Sequence, residues 1–211
     1  MSEFEPFPKI PRLKVHCVIT EKLDGTNGQI LFAEDGTMKA GSRNRWLEAG
    51  RDNFGFFDWA SCNRAELFQL LGPGRHFGEW WGSGIQRRYG RSSKTFSLFN
   101  TARWRHLFDA PNAQTLADPE TYAAFLSRQD LAQRIGLGVV PTMHVGEYSE
   151  AIIDSCTDAL RRHGSLAAPG FMDPEGVVVQ LGSYGRHDGS LFKVIISGEK
   201  PAVRNEHDLL P

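Results

Sequence analysis

No apolar run in this 211-residue chain approaches the roughly 20 residues a membrane-spanning helix needs. The first residues, Met1-Ser2-Glu3-Phe4-Glu5-Pro6-Phe7-Pro8, are acidic and broken by proline, unlike a secretory leader. Cysteine is scarce: Cys17, Cys62 and Cys156 are odd in number, far apart and in no CxxC pair. They read as reduced thiols of a cytoplasmic protein and supply no metal-site signature. Net charge is also nearly absent, at −1, so there is no overall basic field of the kind a nucleic-acid coat protein relies on. A local grip on a strand remains open, because basic residues cluster at Arg43, Arg45 and Arg51 and again at Arg87, Arg88, Arg91 and Lys94. Internal repeats and low-complexity segments are missing too. What is present, 40% hydrophobic and 23% charged residues, describes an ordinary globular chain, long enough for one sizeable core. The expectation is a single domain spanning 1–211.

Pro6, Pro8 and Pro11 forbid a helix at the start and predict an extended lead-in. The β-branched run Val15–Thr20 predicts a buried strand. Ile30–Ala33 and Thr37–Ala40 flank Glu34-Asp35-Gly36, a hairpin signal. Leu67, Phe68 and Leu71 share one face of a helix over 64–71, which Gly72-Pro73-Gly74 ends. Further strands are predicted over 75–80, 95–99, 139–145, 176–181 and 191–196. Asp118-Pro119 opens a helix with Tyr122, Phe125 and Leu126 inward. Another helix carries Ile152, Ile153, Cys156, Ala159 and Leu160 and stops before Gly164. The elements lack a regular βαβ alternation, which predicts an α+β fold with mainly antiparallel sheets flanked by helices.

Lys22 follows the first predicted strand and precedes Asp24-Gly25, where the chain can turn sharply and present an amine at the rim of a sheet. A lysine that attacks phosphorus must be uncharged at that moment, against an ordinary pKa of about 10.4; a neighbouring cation or a partly desolvated pocket favours the free amine. Alone, K-x-D-G is a weak motif and describes many surface lysines. The rest of the chain adds Ser42-Arg43, then Phe77-Gly78-Glu79-Trp80-Trp81-Gly82-Ser83-Gly84-Ile85-Gln86. After these come Phe96-Ser97-Leu98-Phe99, Glu175-Gly176-Val177-Val178-Val179 and Leu191-Phe192-Lys193, in that order.

This ordered set resembles the covalent nucleotidyltransferase superfamily of RNA and DNA ligases and mRNA capping enzymes. Glu21-Lys22-Leu23-Asp24-Gly25-Thr26-Asn27 and the Phe77–Gln86 segment look most like the RNA ligases typified by the phage double-strand RNA ligase and the kinetoplastid editing ligases. The resemblance covers roughly Val15 to Ile196. It implies an ATP-grasp-like nucleotidyltransferase domain and an ATP-dependent ligase that works through a covalent lysyl-AMP intermediate. Lys22 is then the nucleophile. Glu21, Asp24, Gly25 and Asn27 lie about the nucleotide, Arg43 reaches phosphate oxygens and Glu79 accepts from the ribose hydroxyls. Phe99, rather than Phe96, stacks on the purine; Lys193 neutralises the α-phosphate. Glu175 helps hold Mg²⁺ or Mn²⁺, an ion satisfied by one or two carboxylates plus water and phosphate. The implied partner is a nucleic acid with 5′-phosphate and 3′-hydroxyl ends, RNA before DNA, with no membrane.

Two positions depart from the family pattern. Ile195 stands where a second lysine is common, with Lys200 the nearest substitute, and Phe99-Asn100 replaces the usual F-D pair. The sequence also leaves no length for an appended domain such as an OB-fold. The expectation is a bare catalytic domain whose grip on the strand comes from Arg87, Arg88, Arg91 and Lys94 or from an accessory protein. A GTP-using capping enzyme and a non-catalytic nucleotide- or nucleic-acid-binding relative of ligases are the alternatives.

Overall fold

The computed structural model describes residues 14–108, 116–182 and 191–196; the proline-rich lead-in and Lys200 lie outside them. In chain order come β1 (His16–Lys22), β2 (Thr26–Phe32), β3 (Met38–Gly41), α1 (Phe56–Cys62), α2 (Arg64–Leu71) and β4 (Gly74–Gly82). Next are β5 (Lys94–Leu98), α3 (Thr101–Phe108), α4 (Pro119–Ile135), β6 (Leu137–Val139) and β7 (Thr142–Glu147). The last are α5 (Glu150–His163), β8 (Gly176–Leu181) and β9 (Leu191–Ile195). They build an α+β fold with two sheets, ordered β7-β1-β8-β9 and β3-β2-β4-β5-β6. All ladders are antiparallel except β5 with β6.

The hydrophobic alternation fixes which face of each sheet is covered. In the larger sheet Ile30, Phe32, Trp80, Phe96 and Leu98 pack beneath the helices with Phe56, Leu67, Trp104, Leu131 and Ile135. Gly28 makes this packing fit: a Cβ there would meet Phe56 Cζ at 2.7 Å and Phe96 Cε2 at 2.9 Å. In the smaller sheet Cys17, Ile19, Val177 and Val179 pack against Ile153, Cys156 and Leu160 of α5. Leu23, Trp81, Tyr89, Val140 and Ala168 form a third cluster.

The chain passes between the sheets twice. The single strand predicted over 139–145 is two strands in different sheets, with Val140-Pro141 between them. Proline offers no N–H to continue the ladder, and its carbonyl instead accepts from Glu21 N at 2.9 Å. The other passage is Leu23–Gly25, linking β1 to β2. The two crossings therefore run side by side, with Lys22 at one of them.

Three other differences have local causes. Helix α1 is short and is capped from a distance: the Asp52 carboxylate accepts from Phe57 N at 2.7 Å and Asp58 N at 3.2 Å. Helix α3 follows Asn100, whose side-chain oxygen accepts from Arg103 N at 3.0 Å, so the residue in place of the family aspartate still caps a helix. In α4, Phe125 is buried as expected, but Tyr122 and Leu126 are exposed. The covered face runs instead through Leu131, Ala132 and Ile135.

Candidate active site

Alternation along β1 turns Cys17, Ile19 and Glu21 toward α5 and leaves Lys22 on the opposite face. Lys22 pairs with Gly176 across the β1–β8 ladder, which brings Glu175, just before β8, beside it. Lys22 Nζ donates to Glu175 Oε2 at 2.5 Å, with the two side chains 22% and 16% exposed.

Glu79 reaches the same place from the other sheet. The ladder sets Asn27 opposite Glu79; Glu79 Oε2 accepts from Asn27 Nδ2 at 2.9 Å and Oε1 from Gly25 N at 3.1 Å. Gly25 is required by this close pass, since a Cβ would lie 2.4 Å from Trp80 O and 3.1 Å from Glu79 Cγ. Burial pushes the Glu79 carboxyl up to about 7, against the lowering effect of Lys22 and of its two hydrogen bonds; the Glu175 charge adds to the rise. Arg43 Nε donates to Asn27 Oδ1 at 2.7 Å. The network thus runs from the Gly25 backbone through Glu79 and Asn27 to Arg43.

Beside it lies a cavity of about 180 Å³ lined by Asn27, Gly28, Gln29, Ser42, Arg43, Phe77 and Phe99. Phe99 presents an exposed ring there, whereas Phe96 is fully buried in the core. Phe77 was not among the sequence candidates, although it sits two positions before Glu79 on the same strand and so shares its face.

Several expected residues lie elsewhere. Glu21, expected at the nucleotide, is 1% exposed on the α5 side. There its Oε2 accepts from Leu166 N at 2.8 Å and Ala167 N at 3.0 Å, tying down a loop. Asp24 stands behind the site: its carboxylate accepts from Arg87 Nε at 2.8 Å, and its backbone N–H donates to Tyr89 Oη at 2.8 Å. Lys193 is exposed, on the face that carries Lys22 but one row away, because it pairs with Val178 and Ile195 with Gly176. Two strand spacings put it about 10 Å from the column of β1.

The basic group expected to grip a strand is largely committed internally. Arg87, 6% exposed, also pairs with Asp173 at 2.6 Å. The Arg91 guanidinium lies 5.0 Å from the centre of the Trp81 ring and donates to Thr95 Oγ1 at 3.3 Å. Lys94 is half-buried, and of the four only Arg88 is exposed.

Among the described residues no cluster of three or more His, Cys, Asp or Glu side chains forms a metal cage. Glu175, with Glu79 nearby, is instead the sparse carboxylate set that suits an ion sharing its coordination with phosphate oxygens and water. No described helix is long and apolar enough to cross a membrane.

The fold is similar to that of Naegleria gruberi RNA ligase. The structure of that ligase with PPi is 20% identical at a TM-score of 0.52, covering 86% of this chain and 49% of that one. A point mutant of it with ATP and Mn is also 20% identical, at a TM-score of 0.55, covering 87% and 50%. A second mutant with ATP and Mn is 18% identical at 0.52, covering 86% and 49%. The chain therefore spans about half the length of the ligase chains it matches. No curated protein sequence matches it. The family model described as RNA ligase matches residues 15–195, and with nearly the whole chain inside that match, this protein belongs to the RNA ligase family.

Proposed function

We propose that this chain catalyses the nucleotidyl-transfer steps of an ATP-dependent RNA ligase, with Lys22 as the nucleophile. The observation that carries the reading is convergence: an amine on Glu175 at 2.5 Å, a buried glutamate hydrogen-bonded to Asn27, and an arginine at the mouth of an aromatic-walled cavity. These groups come from distant parts of the sequence.

Lys22 Nζ attacks the α-phosphorus of ATP, a P–N bond forms, and the bond to pyrophosphate breaks. The amine, which rests on Glu175 at 2.5 Å, must leave that carboxylate to reach phosphorus, and its proton passes to solvent, leaving Glu175 anionic. Arg43, with its planar fork, holds phosphate oxygens. Glu79 accepts from the ribose, and Phe99 and Phe77 flank the base. A divalent cation held by Glu175 would neutralise charge on the phosphoryl oxygens. That a related fold was solved with ATP and Mn, and with PPi, supports this choice of ligands. AMP then passes from Lys22 to a 5′-phosphate, and a 3′-hydroxyl displaces it as the phosphodiester forms.

The test is incubation with α-labelled ATP and Mg²⁺ or Mn²⁺, followed by a denaturing gel. Label should appear on the parent and vanish in Lys22→Ala; retention of label by the variant, or none on the parent, sinks the assignment. Labelling from GTP in place of ATP would transfer the reading to a capping-type enzyme. Ile195, in the same ladder row as Lys22, is the observation that favours a non-catalytic relative. Nucleotide binding without covalent transfer is its signature.

A further inference from the structure

With Arg87 and Arg91 engaged internally, a second group of cations that form no ion pair among the described residues lies at the opposite end of the site face. Ladder register makes this face continuous. Asn27 and Glu79 form one row, Gly41, Gln29 and Phe77 the next, and Lys39, Leu31 and Arg75 the third. Trp46 lies over Gly41, whose Cβ position is 3.0 Å from the indole ring. The Arg75 guanidinium lies 5.4 Å from the centre of the Trp46 ring and 5.9 Å from that of Phe77; Lys39 Nζ is 5.9 Å from the centre of Trp46. Arg75 also donates to the Gln29 carboxamide, which props the guanidinium against the sheet. Among the described residues, Lys39, Arg43 and Arg75 form no ion pair. Trp46 is 43% and Phe77 49% exposed. Exposed rings with cations held against them present a stacking surface beside positive charge, a combination that suits a ligand both planar and anionic.

We propose that Lys39, Trp46 and Arg75, continued by Phe77, form a single-strand RNA-binding platform leading to the nucleotide cavity. One base stacks on Trp46, and the adjoining phosphates sit on Arg75 and Lys39. The assignment rests on the ligase reading for its direction, because the strand must end where Arg43 meets Asn27. Stacking on an exposed ring, with cations along the backbone, is how single strands are held without sequence preference.

The test uses the full chain and a fluorescein-labelled single-stranded RNA. Trp46→Ala should weaken binding roughly tenfold, while Trp46→Phe keeps most of the affinity, because any aromatic face can stack. Arg75→Ala and Lys39→Ala should each lower the salt slope of binding by about 0.7. Trp46 is the one exposed tryptophan of the five, so RNA should quench intrinsic fluorescence in the parent and not in Trp46→Phe. Lysine labelling by ATP should be unchanged in all these variants. RNA affinity of Trp46→Ala within twofold of the parent overturns the platform, as does a parent that binds no RNA. A parent dimer that Trp46→Ala converts to monomer without changing RNA affinity also overturns it and makes the face a self-association surface. Failure of the ligase reading is separately visible: the parent then takes no label, whatever Trp46 does to RNA.

Discussion

Glu79 and His76 share β4 but face opposite ways, and both are buried where their charged forms are disfavoured. Glu79 is pushed up to about 7, chiefly by burial. His76 is pushed down to about 4, again chiefly by burial, in a site where Nε2 lies 3.0 Å from Gly72 O. The two contribute to stability with opposite sign. A carboxyl with a raised pKa stabilises the fold below its unfolded value, near 4.5, and that contribution is lost as pH rises through about 7. A histidine with a lowered pKa stabilises above its unfolded value, near 6.5, and its contribution is lost as pH falls through about 4. Each displacement is worth on the order of 3 kcal/mol. Stability of Glu79→Gln, from denaturant unfolding between pH 4.5 and 7, should therefore rise with pH more steeply than the parent's, and that of His76→Gln should fall relative to it. Parallel profiles for parent and variants would refute the burial argument. At this scale the sequence was legible where distant motifs were expected to meet: Lys22, Glu79 and Glu175 are brought together by the fold. It was opaque for Glu21, because motif membership does not say which face of a strand a neighbour takes.

Among the elements, those with a full period of apolar residues were readable, and those held by a single distant contact were not. Helix α5 carries the expected apolar residues, ends before Gly164 as predicted, and has Ser149 as its cap, accepting from Ile152 N at 3.3 Å. Helix α1 escapes a periodicity reading because it has only seven residues. The segment 139–145 reads as one apolar strand because local pattern cannot tell which sheet each half joins; Pro141 was the only mark of the division. Glycines show the same limit. Gly28 lies within β2, where two aromatic rings occupy the space a side chain would need, a requirement set by residues far away in the chain. Gly28→Ala should therefore cost about 1–3 kcal/mol by overpacking, seen as a lower unfolding midpoint with unchanged denaturant slope. A neutral result would mean that Phe56 and Phe96 can move aside, and the close fit beneath the sheet would be refuted.

At the scale of the whole molecule, the candidate active site is a seam between two sheets with separate cores. Lys22 and Glu175 belong to one, Asn27 and Glu79 to the other. Arg87, on the loop after β4, spans the seam, with Nε at 2.8 Å from Asp24 Oδ2 and one terminal nitrogen at 2.6 Å from Asp173 Oδ2. Those aspartates lie two residues from Lys22 and from Glu175 respectively, so the clamp ties together the two segments that carry the candidate site without lining the cavity. Truncation removes the cation from the part-buried Asp24 carboxylate, while Asp173, 68% exposed, is met by water, so Arg87→Ala should destabilise the fold mainly through the Asp24 side of the clamp, read as a lower denaturant midpoint. Arg87→Lys keeps the charge but not the fork, so it can hold one aspartate and not both. Its expected signature is lysine labelling slowed about tenfold or more, the scale on which small misplacements act, with ATP affinity within twofold of the parent. Weakened ATP binding at an unchanged labelling rate would place Arg87 in the nucleotide pocket and refute its role as the brace between the sheets.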